Sequence, residues 1–206
     1  AAIAAGYFKD QILPIEMTTR KGTVVFDTDE HVRAEANVAD LQKLRPVFKR
    51  DNGTVTAGNA SGVNDGASAV VLMEAEAAAR AGAKPLARLV AYAHAGVDPA
   101  YMGIGPVPAS RMALKRAGLK ASQMDVIEAN EAFAAQALAV TRDLELDPAK
   151  VNPNGSGISI GHPVGATGAI ITVKAINELL RTNGRYALVT MCIGGGQGIA
   201  AIFERL

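Results

Sequence analysis

Tryptophan is absent, aromatic residues make up 4% of the 206-residue chain, and cysteine occurs once, at position 192. A lone Cys192 excludes an internal disulfide and fits a reducing compartment. Few aromatics leave few platforms for stacking bases, and 21 Lys and Arg against 20 Asp and Glu give a net charge of +1. Neither feature makes a case for nucleic acid or for an anionic membrane surface. No uninterrupted apolar run reaches membrane-spanning length and no basic-then-apolar leader opens the chain. Cytoplasm is the address these absences favour. An initiator Met is also missing, and the run Ala1 to Lys9 reads as helix from its first residue with no capping side chain ahead of it. A start inside a helix, within a longer polypeptide, is the expectation.

What is present is ordinary for a folded protein: 49% hydrophobic and 20% charged residues can bury one good core, or part of a larger layered one. Two short extended runs, Gln11 to Met17 and Lys21 to Phe26, come first. A charged stretch without periodicity follows from Asp27 to Asp51, either a solvated face or a surface for an anionic ligand. Thr54 to Gly66 is a loop of Gly, Asn and Ser. Ala67 to Glu74 reads as a buried strand, Ala75 to Ala81 as a helix closed by Gly82, and Pro85 to Ala95 as a strand. Helix is expected from Ala109 to Ala117, ended by Gly118, and from Ala166 to Arg181, stopped by Gly184. Asp125 to Asn130 is a short strand running into helix at Glu131. Tyr186 to Cys192 and Gly198 to Phe203 form a glycine-linked hairpin. Strands alternating with helices predict an α/β architecture with a mostly parallel sheet covered on both faces.

Three clusters carry candidate chemistry. His162 lies between the apolar run Ile158 to Ile160, read as a strand ending at Gly161, and the following helix. Pro163 fixes the turn, and Gly161 and Gly165 allow close approach to the backbone. Nearby helix N–H groups disfavour a protonated ring, so His162 suits a neutral base or a donor beside an oxyanion; alternatively it merely caps or packs. Asn130, in the run Asn130 to Ala134, stands at a strand-to-helix junction, where a side-chain amide can meet a ligand or serve as a plain N-cap. Cys192 precedes Gly194, Gly195 and Gly196, either a thiol beside free backbone amides or a buried structural cysteine. Together they suit proton abstraction α to a carbonyl: a thiolate near the carbon, with amides and imidazole for the enolate oxygen. A nucleophile to carry an acyl group is the missing part, since one thiol serves poorly as both acyl carrier and carbon base. Dinucleotide and P-loop spacings are absent, and His31, His94 and His162 stand too far apart for a local metal motif.

These residues resemble the thiolases, the acetyl-CoA acetyltransferases and 3-ketoacyl-CoA thiolases, and in particular the C-terminal half of a bacterial β-ketothiolase. The likeness is carried by NEAFA at 130 to 134, GHPVGATG at 161 to 168 and CIGGGQG at 192 to 198, in family order. TAGNASGVNDGA at 56 to 67 and YMGIGPVPA at 101 to 109 extend it over nearly the whole chain. It implies a layered αβαβα fold, with residues 1–63 ending a loop domain that covers coenzyme A, 64–84 completing the N-terminal half and 85–206 forming the C-terminal half. It implies coenzyme A thioesters as substrates, no permanent cofactor, and a homodimer or homotetramer. The acyl-carrying cysteine of the family belongs to the N-terminal half. His162 maps onto its activator and, with Asn130 through a held water, onto the donor to the enolate oxygen. Cys192 maps onto the acid/base for the α-carbon and Gly194 onto a second oxyanion hole. Gly58, Ala60, Ser61, Met102, Ala132 and Phe133 match the lining of the pantetheine arm, and Arg33 either reaches the nucleotide end or is simply solvated. A decarboxylating ketoacyl synthase and a noncatalytic fragment that binds coenzyme A or dimerises are the rival readings.

Overall fold

Two apolar runs separated by three glycines cannot stay extended side by side without a reversal, and the glycines supply it. In the computed structural model, which describes residues 1–206, β5 (Tyr186–Ile193) and β6 (Gln197–Arg205) pair antiparallel, closing at Ile193 opposite Gln197. Gly195 and Gly196 hold φ of +82° and +84° in the turn, a region that excludes most side chains. On the far side of β6 lies β3 (Ala87–Gly96), also antiparallel, and on the far side of β5 lies β4 (Val126–Ala129), parallel. The order is therefore β3-β6-β5-β4. The sheet is mixed, and by strand direction mostly parallel as expected: β3, β4 and β5 run one way and β6 against them, while β3 and β4, successive in sequence and joined by a helical connection, sit at opposite edges.

Period-two alternation sorts the strand residues onto two faces. Ile127, Ala129, Leu188, Ala200 and Ile202 meet α3 (Pro106–Ala117) through Val107, Ala109, Ala113 and Leu114. Val126, Ala187 and Val189 meet α6 (Thr167–Thr182) through Ile171, Ala175 and Leu179, one helical stripe. Each fully buried Leu or Ile of these layers contributes roughly 1.5–3 kcal/mol by leaving water. Gly118 ends α3 in the left-handed conformation as expected, whereas α6 is stopped by Asn183, at φ +56°, rather than by Gly184.

Outside this sheet, β1 (Ile15–Thr19) and β2 (Gly22–Phe26) form a small exposed hairpin, and α1 (Val38–Leu41) and α2 (Ala75–Arg80) are short. No helix is long and apolar enough to cross a membrane. Several local expectations are corrected. Ala1 to Lys9 forms successive turns instead of a helix, since Gly6 at φ +75° interrupts the repeat. Ala67 to Glu74 is exposed coil, because no strand of this chain lies beside it; Val71 is 88% and Leu72 74% exposed. Helix after Asn130 starts only at Ala134, so α4 is Ala134–Asp143. Ile158 to Ile160 belongs to α5 (Gly157–Ile160), a single helical turn and not a strand. There the Ser159 hydroxyl accepts the Ser156 N–H at 3.1 Å, fastening the turn on itself.

Candidate functional site

The site is built at the C-terminal end of β4. Asn130 carries the β4 ladder one residue further, its N–H donating to the Thr190 carbonyl at 3.0 Å. Phe133, not Asn130, occupies the cap position of α4, which removes the N-cap explanation for the Asn130 side chain. Next to it Asn152, at φ +48°, acts as a fragment of strand: its Oδ1 accepts the Ala129 N–H at 2.9 Å and its Nδ2 donates to the Ala129 carbonyl at 2.8 Å. Asn130 is 2% exposed, and its Oδ1 has no hydrogen-bond partner within the chain.

The amide nitrogen of Asn130 lies 3.4 Å from His162 Nε2. On the other side of the ring, Nδ1 lies 2.7 Å from Thr167 Oγ1, and that hydroxyl in turn donates to the Pro163 carbonyl at 2.9 Å. A hydroxyl whose hydrogen is committed to Pro163 accepts from Nδ1–H, so the arrangement selects the tautomer with a bare Nε2 facing Asn130. Burial pulls the His162 ring below its ordinary value, which favours the same neutral form. Neutrality was expected from the helix terminus; desolvation supplies it instead. Thr167 was not singled out in the sequence, although a hydroxyl five residues beyond a turn histidine, at the first position of a helix, was the available signal.

The loop over Thr54 to Gly66 binds both motifs together. Asn59 and Ser61 exchange backbone hydrogen bonds with Ala134 and Ala132 at 2.9 and 3.0 Å, and Ala60 bridges Phe133. The Asn59 carbonyl thereby satisfies an otherwise orphaned N–H at the start of α4. Further along, Gly62 O accepts the His162 N–H at 3.0 Å and Val63 pairs beside His162 in parallel sense. Asn130, His162, Ala60, Ser61, Ala132 and Phe133 are thus gathered in one place. Phe48 stands edge-on to Phe133 at 6.2 Å. Met102 lies on a 3₁₀ segment, Pro99–Ile104, that Gln136 of α4 anchors through the Gly103 carbonyl at 3.0 Å. Gly58 is pressed against α1, with Leu41 and Leu44 carbons 2.4 and 2.7 Å from where a Cβ would lie. Arg33 is exposed and makes no ion pair or side-chain hydrogen bond, and nothing draws it toward the others.

Cys192 lies on β5 two residues beyond Thr190, the residue that receives Asn130, and so at the same end of the sheet. It is 6% exposed, and burial pushes its thiol above the ordinary range. The Gly194 N–H that follows is exposed and donates to no backbone acceptor. Gly196 is fixed by Val97, whose N–H donates to the Gly196 carbonyl at 2.8 Å.

Beneath the site runs a buried ion pair. Lys174 of α6 lies 2.9 Å from Glu128 of β4 and also donates to the Gly155 carbonyl, in the loop that leads to α5. Burial raises the Glu128 carboxyl to about 7 against the opposing pull of Lys174. Glu131 holds the same loop from above, accepting from Asn152 Nδ2 at 3.2 Å and the Ile158 N–H at 3.4 Å.

The mixed α/β sheet thus carries the Asn130 amide and the Cys192 thiol at one end, with the neutral His162 ring beside the amide. The models of the thiolase N-terminal and C-terminal domains match residues 1–76 and 83–205, and the chain belongs to the thiolase family. It is 74% identical over 206 residues to the β-ketothiolase BktB of Cupriavidus necator, covering 100% of this chain and 52% of that protein. It is 54% identical over 204 residues to the human mitochondrial 3-ketoacyl-CoA thiolase, covering 99% of this chain and 51% of that protein. Among solved structures it superposes on the Bacillus anthracis acetyl-CoA acetyltransferase with a TM-score of 0.94 at 52% identity, over 100% of this chain and 52% of the other. The human mitochondrial 3-ketoacyl-CoA thiolase in complex with CoA gives 0.89 at 50% identity, over 100% and 51%. The chain spans about half the length of the curated relatives it matches.

Proposed function

We propose that this chain supplies the enolate-stabilising and proton-transferring part of an acyl-CoA C-acyltransferase. The enzyme would join two acyl-CoA molecules reversibly into a 3-ketoacyl-CoA and free CoA, with the acyl-carrying cysteine in a half of the protein outside these residues. The observation that carries the reading is the 3.4 Å approach of Asn130 Nδ2 to a His162 Nε2 left bare by the Thr167 hydroxyl. Residues 1–63 are assigned to the domain covering coenzyme A, 64–84 to the end of the N-terminal half and 85–206 to the C-terminal half.

In the acylation step Nε2 of His162 takes the proton of the nucleophilic thiol. The thiolate attacks the acyl-CoA carbonyl, the C–S bond to CoA breaks, and CoA leaves as a thiolate that then takes the proton of the Cys192 thiol. His162, now carrying N–H at Nε2, donates to the carbonyl oxygen of a second thioester, and Asn130 donates beside it through a bound water. Cys192 removes the α-proton as thiolate, and the resulting carbanion attacks the acyl-enzyme carbonyl while the Gly194 N–H receives the oxyanion; the enzyme thiolate departs. In the cleavage direction Cys192 returns the proton to carbon, a task suited to a thiol whose burial keeps it protonated. Gly58, Ala60, Ser61, Met102, Ala132 and Phe133 line the pantetheine arm, and Arg33 meets the nucleotide end. The protein takes no resident cofactor in this scheme and works as a homodimer or homotetramer.

The test is thiolysis of acetoacetyl-CoA by the complete enzyme and its His162→Ala variant, with rapid-quench detection of the acyl-enzyme. Turnover by the parent and loss of both acylation and thiolysis in the variant are expected. Normal acylation by His162→Ala contradicts the role given to the ring.

A further inference from the structure

The backbone of the catalytic turn is held by a side chain that the scheme above does not use. The His162 N–H is shared between the Gly62 carbonyl at 3.0 Å and Asn64 Oδ1 at 3.2 Å. The Asn64 amide fills the space that a Cβ on Gly161 would occupy, with Oδ1, Cγ and Nδ2 at 2.3, 2.6 and 2.9 Å from that point. Its orientation is not free: Oδ1 faces an N–H, so Nδ2 points the other way, to His31 Nδ1 at 3.2 Å. An amide nitrogen can only donate there, so His31 accepts at Nδ1 and carries its proton at Nε2. His31 in turn packs against Gly62, its Cε1 2.5 Å from the position of an added Cβ. Two histidines separated by 131 positions in the sequence are therefore linked through one amide.

We infer that Asn64 is a positioning residue for His162 and that His31 orients Asn64. The inference rests on the proposed thiolase function. Asn64 is placed to set where the imidazole stands relative to Asn130 without itself touching substrate. His31 sits on the segment 27–33, which also carries Arg33, and it borders a groove of about 440 Å³ lined by Ile12, Leu13, Phe26 and Asp29. The link thus runs from that outer segment to the reacting centre. A merely structural residue would lower the amount of folded enzyme. A positioning residue lowers kcat while leaving the affinity for thioester nearly unchanged, because misplacement of the reacting group weakens the transition state alone.

The experiment measures kcat and KM for thiolysis in the complete enzyme carrying Asn64→Ala, Asn64→Asp, His31→Leu or His31→Asn. Asn64→Ala is expected to lower kcat about ten- to a hundredfold with KM within about twofold. Asn64→Asp keeps the acceptor for the His162 N–H and can accept from a ring protonated at Nδ1, so it recovers most of the rate. His31→Leu lowers kcat about three- to tenfold, and His31→Asn, whose amide oxygen falls near the place of Nδ1, restores it. An Asn64→Ala enzyme with kcat within about twofold of the parent overturns the inference, as does Asn64→Asp being as slow as Asn64→Ala, or His31→Asn as slow as His31→Leu. A parent that fails to cleave acetoacetyl-CoA overturns the proposed function and this inference with it. A competent parent with an unaffected Asn64→Ala variant overturns the inference alone.

Discussion

Gly161→Ala puts the geometry of the His162 turn to a quantitative test. Gly161 holds φ +88° and ψ 171°, a region open almost only to glycine. Placing an L side chain there costs on the order of 1–3 kcal/mol. The added methyl would also stand 2.3 Å from Asn64 Oδ1, too close for either to stay, so the amide must swing away from the His162 N–H. Losing that hydrogen bond costs about 1 kcal/mol, since Gly62 still accepts from the same donor. The whole penalty is therefore about 2–4 kcal/mol, and a ring displaced by about 1 Å should lose about a hundredfold in kcat. Urea denaturation and thiolysis rates are to be measured on the complete enzyme with Gly161→Ala, Asn64→Ala and both changes together. Because Asn64→Ala already removes the obstructing group, the double variant should be about 1 kcal/mol more stable than the sum of the single losses predicts. Strict additivity, or a Gly161→Ala enzyme of normal rate, would refute the claim that Asn64 and Gly161 share one packed space.

Two further outcomes follow from the titratable groups. Burial disfavours the imidazolium of His162, so the acid limb of the acylation rate should have its midpoint below the ordinary imidazole value of about 6.5. A stopped-flow pH profile with a midpoint at or above that value would contradict a buried neutral ring. Glu128 has its carboxyl raised to about 7, above the ordinary 4.5, so its contribution to stability is full at acid pH and is lost as pH rises through about 7. Lys174→Met removes the cation that opposes this loss and should cost about 3–5 kcal/mol at about pH 8 but clearly less at about pH 5, where the carboxyl is protonated. Equal destabilisation at the two pH values by urea denaturation would show that the pair is not ionised.

Glycine and hydrophobic period made much of the frame legible. The β5–β6 hairpin, the Gly118 stop of α3 and the amphipathic α6 stand where the residues place them, while α3 begins at Pro106 rather than at Ala109. The order of the strands did not follow, because alternation of strands and helices is silent about neighbours, and β3 pairs with β6 across some 100 intervening residues. Ile158 to Ile160 is too short for periodicity to separate strand from helix, and the hydroxyl of Ser159 decides it. At the site, Asn130 and His162 were readable from their motifs and are found together. The loop from Thr54 to Gly66 reads as turn chemistry alone, and only folding reveals that it lies as a strand fragment against both motifs. Asn64 carried no signal beyond membership of that loop. Arg33 is exposed, and no contact gathers it toward the other candidates.

The central claim is that Cys192 moves the α-proton and does not carry the acyl group. In the complete enzyme with Cys192→Ala, exchange of labelled CoA into acetyl-CoA and wash-in of deuterium at the acetyl methyl should be measured side by side. The account predicts that the CoA exchange persists at a substantial fraction of the parent rate while deuterium incorporation and carbon–carbon bond formation disappear. Loss of both reactions to the same extent, or retention of deuterium incorporation, would contradict it.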